Sequence, residues 1–500
     1  MLPVVTAEEM RALDRATIDD VGIPALTLME TAGRAVASAA IRALQRRGHV
    51  AVVCGPGNNG GDGFVVARVL RDHGTDAVAY LAVPRTAIKG DAAAHLAILE
   101  RAGGVVRMIA TPAQLAEVRD AIAGAEVCVD ALFGIGPLRP VEGHLAQVIG
   151  AINRARFRIA IDVPSGLESD TGRVEGAVVD AQLTVTMAAH KIALVSAPGF
   201  SHCGAIEVVD IGIPAGVIST ATIRAGLVEE ADVWQWLPRP GVLDHKGTRG
   251  HAVIIGGSPG MRGAGRLAAS AALRAGAGLA TLAAHGGDDL IAPDSVMTKA
   301  VRGSIAGVID GKDAIVIGCG LGQGDEARGW LTEVLACGLA AVLDADALNL
   351  IADDPRVLVR AAGPIVITPH PGEAARLLGI SAKDVEADRL AAARALAALT
   401  HAVVVLKGAR TIVCDGMLGD DHCSINPTGS PALATGGSGD VLAGVIGGLL
   451  AQGLAAADAA RAGVFVHGRA GERLASVHGR GAVSADLGTA VASVIAQLAG

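Results

Sequence analysis

The sequence predicts two doubly wound α/β domains in tandem. Apolar runs of strand length alternate with helical stretches through both halves of the chain, the pattern of strand, turn, helix, strand that builds a parallel sheet. Each run stops at glycine or a short polar residue, as a tight turn at a strand end requires. Hydrophobic residues make up 51% of the chain and aromatics only 2%, with 67 glycines, so the cores are built from Ala, Val, Leu and Ile. At 500 residues the chain also exceeds one ordinary core, since single domains run to roughly 100–200 residues.

Two capping boxes open the chain, Thr6 with Glu9 and Thr27 with Glu30, each pairing a side chain with free amides at a helix start. Strands are expected at 50–54, 127–129 and 157–161, with a helix at 64–71 between them. After Pro214 an Ala/Gly/Ser/Thr stretch leads into Trp234, Trp236, Pro238 and Pro240, and the domain boundary is expected there, giving domains of 1–216 and 225–500. Five buried strands follow, at 252–255, 314–317, 341–343, 364–367 and 402–406, each running into a polar motif: GGSPG, GCGLG, DADALN, TPHPGE and KGART.

A formal charge of −8 and a pI near 6.0 exclude a general polyanion binder, because nucleic-acid affinity rests on clustered Lys and Arg. The seven cysteines stand singly with no CxxC spacing, which indicates neither a disulfide framework nor zinc and fits a reducing cytoplasm. Glu8, Glu9, Asp14, Asp19 and Asp20 precede any long apolar run, the wrong charge for a secretory signal. The stretch 441–457 is broken by Gln452 and several glycines and is expected as a buried helix, short of the roughly 20 apolar residues of a membrane span.

In the first half, GPGNNGGDG (55–63) follows the first strand of the series. Gly55, Gly57 and Gly60 satisfy GxGxxG, in which glycines let backbone approach a pyrophosphate at a helix N-terminus. Read alone the fingerprint is a weak signal, and the competing reading is a glycine turn with Asp62 as a cap. Asp130 in DALFGIG and Asp162 in DVPSG stand just past two further strands, so three loops converge on one crevice. Asn59, Asp130 and Ser165 offer hard oxygen ligands to a cation, and Asp162 is left free to move protons.

These motifs resemble the signature of the NAD(P)HX epimerase family over roughly residues 1–216, which implies a Rossmann-like domain. The resemblance implies that Asn58, Asn59, Gly60, Gly61, Asp62, the loop Gly134, Ile135, Gly136, Pro137, Leu138, Arg139 and Pro140, and Asp162 contact the hydrated dinucleotide. It further implies that Asn59, Asp130 and Ser165 hold K⁺. Hydration puts a hydroxyl on nicotinamide C6 beside the ring nitrogen, so that carbon can lose and regain its oxygen through an iminium or a ring-opened form. Asp162 is the expected acid/base group.

In the second half, GGSGD (436–440) precedes an apolar helix expected to start near Val441. Amides at that helix start face an anion, aided by the macrodipole, and Asp440 is placed to take a proton from an attacking hydroxyl. No Walker A sequence occurs. GGSGD resembles the anion-hole motif of the ribokinase-like superfamily. KGTRG (246–250), GGSPGMRGAG (256–265), GCGLG (318–322), DADALN (344–349), TPHPGE (368–373) and KGART (407–411) stand in the order seen in ADP/ATP-dependent NAD(P)HX dehydratases.

That resemblance implies that Gly322, His370, Pro371, Gly372, Glu373, Ala374, Ala375, Arg376 and Asp440 contact the hydrated cofactor. It implies that Lys407, Gly408, Ala409, Arg410, Thr411 and the segment from Ser430 through Gly436, Gly437, Ser438 and Gly439 bind the nucleotide. Mg²⁺ would neutralise the phosphates, and ADP is expected over ATP because the family's fused prokaryotic members use it. Taken alone, His370 reads as a packed histidine at a strand exit and Lys407 as a solvated lysine. Met261 stands where relatives often place a tyrosine.

The expectation is therefore a cytoplasmic enzyme, a homo-oligomer without nucleic-acid or membrane partners, acting on NADHX and NADPHX with K⁺, Mg²⁺ and ADP. Two rivals are weighed against it. A Rossmann dehydrogenase would use Asp76, about 20 residues past the glycines, on a ribose. A ribokinase-like vitamin kinase fused to a ligand-binding domain would account for GGSGD alone.

Overall fold

The computed structural model describes residues 1–44, 48–136, 140–239, 241–286, 292–417 and 422–499. The chain divides into two compact units, Leu2–Arg224 and Ala225–Gly500.

The strands of the first unit are β1 (Leu2–Val5), β2 (His49–Cys54), β3 (Asp76–Leu81), β4 (Val105–Met108), β5 (Val127–Ala131), β6 (Phe157–Ile161), β7 (Leu183–Met187), β8 (His190–Lys191) and β9 (Ala205–Val209). Seven of them form one sheet in the order β4-β3-β2-β5-β6-β7-β9, and every pairing in it is parallel. β1 pairs in parallel with the two-residue β8.

Successive side chains of a strand point to opposite faces, and both faces here are covered. Val50, Val52 and Cys54 share a core with the helices Ala25–Ala43 and Asn58–Asp72. Ala51 and Val53 pack with the helices Pro112–Ala123 and Gly143–Ile152. This is why the parallel strands read as unbroken apolar runs rather than alternating ones. The order of strands reverses between β2 and β5, which opens a crevice at their carboxyl ends.

The second unit contributes β10 (Ala225–Leu227), β11 (His251–Ile255), β12 (Leu279–His285), β13 (Met297–Val301), β14 (Ala314–Ile317), β15 (Ala340–Leu343), β16 (Ile365–Ile367), β17 (Val403–Leu406), β18 (Ile412–Asp415) and β19 (Cys423–Ile425). They lie in the order β13-β12-β11-β14-β15-β16-β17-β18-β19-β10. β13 to β17 are mutually parallel, and the hairpin β18–β19 adds antiparallel strands after β17.

Helix Ser438–Ala451 lies against helix Arg262–Arg274 at a separation only glycine permits. A Cβ on Gly444 would sit 2.1 Å from Ala268 O, and one on Gly448 would sit 2.4 Å from Ala272 O. The glycines that weaken this helix intrinsically therefore let it sink into the core, where Val441, Val445, Ile446 and Leu449 are buried.

Four expectations are corrected. Thr6 and Glu9 form a capping box, but Thr27 lies inside helix Ala25–Ala43, whose cap is Pro24, and Glu30 pairs instead with Arg68 at 2.6 Å. The helix expected from Phe64 starts at Asn58. The run 441–457 is two helices, Ser438–Ala451 and Ala456–His478, separated at Gln452 and Gly453. Cys414 and Cys423, directly opposed across β18 and β19, form a disulfide; antiparallel register brings together two cysteines whose spacing carries no signal. Among the described residues no helix is long and apolar enough to cross a membrane.

Candidate active sites

At the end of β2 the chain turns so tightly that a Cβ on Gly55 would lie 1.8 Å from Leu132 O, and one on Gly60 would lie 2.1 Å from Gly55 O. The glycines thus set the start of helix Asn58–Asp72 directly against the strand. Asn59 follows at the helix start, buried, with Nδ2 donating to Phe133 O at 2.7 Å. Asp130, in β5, is 0% exposed. Its Oδ2 accepts from Ser165 N at 2.8 Å and its Oδ1 from Ser165 Oγ at 2.7 Å. Burial pushes the Asp130 carboxyl up to about 6, although the bonds from Ser165 and Leu132 oppose this. Asn59, Asp130 and Ser165 thus meet around Phe133, whose N–H donates to Ser165 Oγ at 2.9 Å.

Asp162, just past β6, adopts φ +68°, a left-handed conformation that costs a non-glycine residue about 1–3 kcal/mol and tends to occur at functional sites. It is over-determined there: its N–H donates to Val185 O at 2.7 Å, Thr186 Oγ1 donates to its Oδ1 at 3.0 Å, and Lys191 Nζ lies 2.6 Å from the same oxygen. Lys191 is fully buried and donates as well to Thr186 Oγ1 and Met187 O.

A cavity of about 420 Å³ joins these groups; Asn58, Asn59, Asp62, Gly134, Ile135, Gly136 and Asp162 line it together with Asp14 and Lys191. Its size suits a small-molecule ligand. Gly60 and Gly61 are packed against backbone and Met29 instead, Pro140 is exposed, and Pro137, Leu138 and Arg139 lie outside the described residues. Asp76 begins β3 beside His49, at the amino end of the sheet. Five residue steps, about 17 Å at ~3.3 Å each, separate that level from the glycine turn, so Asp76 serves no ribose there and the dehydrogenase reading fails.

In the second unit the ends of β14, β15, β16 and β17 converge on the amino end of helix Ser438–Ala451. Gly318 holds φ +121°, and a Cβ there would lie 1.8 Å from Asp344 O, which brings the β14 and β15 exits into contact. Asp344 is 2% exposed; its Oδ1 accepts from Thr368 Oγ1 at 2.8 Å and from Lys407 Nζ at 2.6 Å. Burial works against the Lys407 charge, but Asp344 and Glu373 outweigh it and hold the ammonium above its usual value. Lys407 is therefore no solvated lysine.

Asp440 sits in the first turn of helix Ser438–Ala451, and its carboxylate, that of Asp344 and the Cys319 thiol lie within 4.8 Å of one another. Burial first, then the charge of Asp344, pushes Asp440 up to about 6. Gly437, at φ +89°, caps the helix. Behind it His467 Nε2 lies 3.0 Å from Ser438 O and 3.3 Å from Ser438 Oγ, and Ser484 Oγ donates to Gly436 O at 2.6 Å. A Cβ on Gly439 would stand 3.3 Å from Lys407 Nζ, so the glycine keeps the lysine and the helix start together.

His370 is not packed: about half exposed, it caps helix Pro371–Leu378, its Nδ1 accepting from Gly372 N and Glu373 N while Glu373 returns a bond to His370 N. Ala374 and Ala375 are buried and Arg376 exposed. Gly322 N donates to Asp346 Oδ2 at 2.8 Å. Gly408 and Ala409 are exposed, Thr411 Oγ1 donates to Gly408 O, and Arg410 Nη1 donates to Pro427 O. Ser430 Oγ donates to Gly471 O. Met261 precedes helix Arg262–Arg274, exposed.

Several groups at these sites escaped sequence reasoning: Lys191 and Asp14 in the first, Cys319, Asp344, Thr368, His467 and Arg389 in the second. Asp344 and Cys319 were within reach, since DADALN and GCGLG place them just past strands. Arg389, buried, donates to Leu406 O and Lys407 O and so supports the KGART turn from a distant helix.

Comparison with known proteins finds two family models in this chain. One described as NAD(P)H-hydrate dehydratase matches residues 252–492, and one described as YjeF-related protein N-terminus matches residues 25–193. A bifunctional NAD(P)H-hydrate repair enzyme of Moorella thermoacetica is 42% identical over 96% of this chain and 94% of its own length. One of Escherichia coli is 36% identical over 96% of this chain and 92% of its own length. A crystal structure of an ADP/ATP-dependent NAD(P)H-hydrate dehydratase from Bacillus subtilis, co-crystallised with ATP and Mg²⁺, is 29% identical with a TM-score of 0.50, covering 54% of this chain and 98% of that one.

Proposed function

Because the chain belongs to the family of bifunctional NAD(P)H-hydrate repair enzymes, we propose that its two units divide the repair between them. The first interconverts the R and S epimers of NADHX and NADPHX at the Asp162 cavity. The second dehydrates the S epimer to NAD(P)H at the expense of ADP, giving AMP and phosphate. The observation that carries the reading is Asp440 at the amino end of helix Ser438–Ala451, beside Asp344 and Cys319.

In the second unit the amides that open this helix face the transferring phosphoryl group, where the macrodipole favours negative charge. Asp440 accepts the proton of the C6 hydroxyl as that oxygen attacks the β-phosphorus. The phosphate so attached leaves as the ring nitrogen pushes its lone pair toward C6, and loss of a proton from C5 restores the dihydronicotinamide ring. Lys407, tied to Asp344 and 3.9 Å from Glu373, holds the KGART loop over the nucleotide. Mg²⁺ fits the donor set: Asp344 commits Oδ1 to Lys407 and Thr368 and would hold the ion through its other oxygen. When bound, the ion neutralises phosphate charge.

In the first unit Asp162 moves the proton at the C6 oxygen while the apolar wall of the cavity, Met10, Leu28, Phe133 and Met187 among it, holds the nicotinamide ring. K⁺ fits Asn59, Asp130 and Ser165. The buried Asp130 carboxylate has hydrogen-bond donors but no ammonium or guanidinium partner among the described residues, so a cation of low charge density would neutralise it. The ion would brace the two turns, after β2 and after β6, that carry Asn59 and Asp162. A cytoplasmic homo-oligomer using ADP rather than ATP completes the proposal.

The test incubates the full chain with mixed NADHX epimers and ADP, and follows recovery of nicotinamide absorbance. Asp440→Asn stops recovery while leaving epimer exchange intact. Asp162→Ala lets only one epimer be consumed. Full recovery by Asp440→Asn, or inert ADP with phosphorylation of a vitamin alcohol instead, overturns the reading.

A further inference from the structure

Four carboxylates, Asp14, Asp62, Asp91 and Asp162, line the cavity of the first unit, and the lysine among them is Lys191. Lys191 is already committed, 2.6 Å from Asp162. Asp62 takes no hydrogen bond and no ion pair among the described residues, and its charged neighbours are Asp162 and Asp14, both acids. Carboxylates sharing one site with a single counter-ion cannot all ionise. Lys191 is spent on Asp162, which leaves Asp62 with acids and, among the described residues, no cation beside it, the setting in which a carboxyl keeps its proton. One carboxyl bound to an ammonium and one held among acids in the same cavity are placed to divide into a base and an acid.

We propose that Asp62 is the general acid of epimerisation, working with Asp162 as the base. This rests on the reading that the first unit epimerises NAD(P)HX. Asp62 gives its proton to the C6 hydroxyl as the C6–O bond breaks; the bonding pair leaves on the departing water, and the N1 lone pair forms the N1=C6 iminium. Water then adds from the other face, the iminium electrons return to N1, and Asp162 takes the proton released by that water. Transfer of this proton from Asp162 back to Asp62, through water or Asp14, resets the site with no net change in atoms or charge.

Burial raises the Asp62 carboxyl well above its ordinary value, and Asp162 and Asp14 raise it further. Asp14, at the end of helix Ala7–Arg15, is itself raised by burial while Lys191 and Arg15 oppose this. The acid therefore works in its protonated form, and the epimerisation rate falls as pH rises through the Asp62 pKa.

The test uses the full chain and chromatographic separation of R- and S-NADHX. Asp62→Asn slows epimerisation by about 10²- to 10⁴-fold, with little change in KM, loses the alkaline limb of the pH profile, and leaves ADP-dependent dehydration of purified S-NADHX at its normal rate. In ¹⁸O-water the unmodified enzyme delivers label to C6 with each inversion, a measurement that does not depend on the variant folding. Inversion with retention of the original oxygen, wild-type epimerisation by Asp62→Asn, or a loss confined to KM overturns the proposal. If Asp162→Asn is inactive while Asp62→Asn is not, the acid assignment falls and the epimerase reading stands. If both variants epimerise normally, the reading itself falls.

Discussion

Lys191 Nζ lies 2.6 Å from Asp162 Oδ1, with the lysine side chain fully shielded from solvent. A buried ammonium and carboxylate are each costly alone and tolerable together, so removing one leaves the other as an uncompensated charge. Lys191→Met is expected to destabilise the first unit by about 3 kcal/mol and to abolish epimerisation. Denaturant unfolding checks the first effect and epimer exchange the second. Adding Asp162→Asn to Lys191→Met recovers much of the stability and none of the activity, a coupling that a double-mutant cycle measures.

Potassium binding is predicted from the buried Asp130, Asn59 and Ser165 cluster. A ligand that binds only the folded state stabilises by about 2.7 kcal/mol at a concentration 100 times its Kd. The melting temperature of the full chain is expected to rise with K⁺ and to rise less with Li⁺. Asp130→Asn is expected to erase the difference, since the amide keeps the shape and loses the charge. Epimerisation follows the same order of cations, while dehydration of the S epimer does not.

Much of the first site was legible because Asp130 and Asp162 stand at the ends of apolar strands, and parallel strands of a doubly wound sheet deliver their carboxyl ends to one edge. Lys191 was not legible. It lies on a two-residue strand paired with β1, and no local pattern reveals that such a segment reaches Asp162. The helix start at Asn58 was hidden by glycines that read as a turn; their purpose is the 2.1 Å approach a Cβ on Gly60 would block. In the second unit the order of motifs revealed the site, but GGSGD says nothing of His467, which arrives from a helix packed behind it.

The Cys414–Cys423 bridge ties β18 to β19. β18 begins immediately after Thr411, and β19 ends immediately before Asn426 on the way to Ser430, so this hairpin carries both proposed nucleotide loops. A closed loop with a sequence separation of 9 contributes about 2–3 kcal/mol on the chain-entropy account. The double substitution Cys414→Ala, Cys423→Ala is expected to lower the unfolding free energy of the second unit by that amount and to raise KM for ADP more than KM for NADHX. Steady-state kinetics with each substrate varied in turn checks the split.

His467 gives the second unit a stability that depends on pH. Burial pushes its imidazole down to about 4 from the ordinary 6.5, although its bond to Ser438 opposes this. Above pH 6.5 both folded and unfolded chains carry it neutral, and it contributes no pH dependence. As pH falls below 6.5 the unfolded chain takes up the proton and the folded chain does not until about pH 4, so stability drops by about 1.4 kcal/mol per pH unit across that window. His467→Gln removes the titration and can keep a donor toward Ser438. Its unfolding midpoint is expected to fall less than that of the unmodified chain between pH 7 and pH 4.5. Because His467 holds Ser438 at the start of the anion-binding helix, acid should also cost dehydratase activity earlier than it costs epimerisation. Equal slopes in the two chains would place the histidine proton elsewhere and remove His467 from the support of that helix.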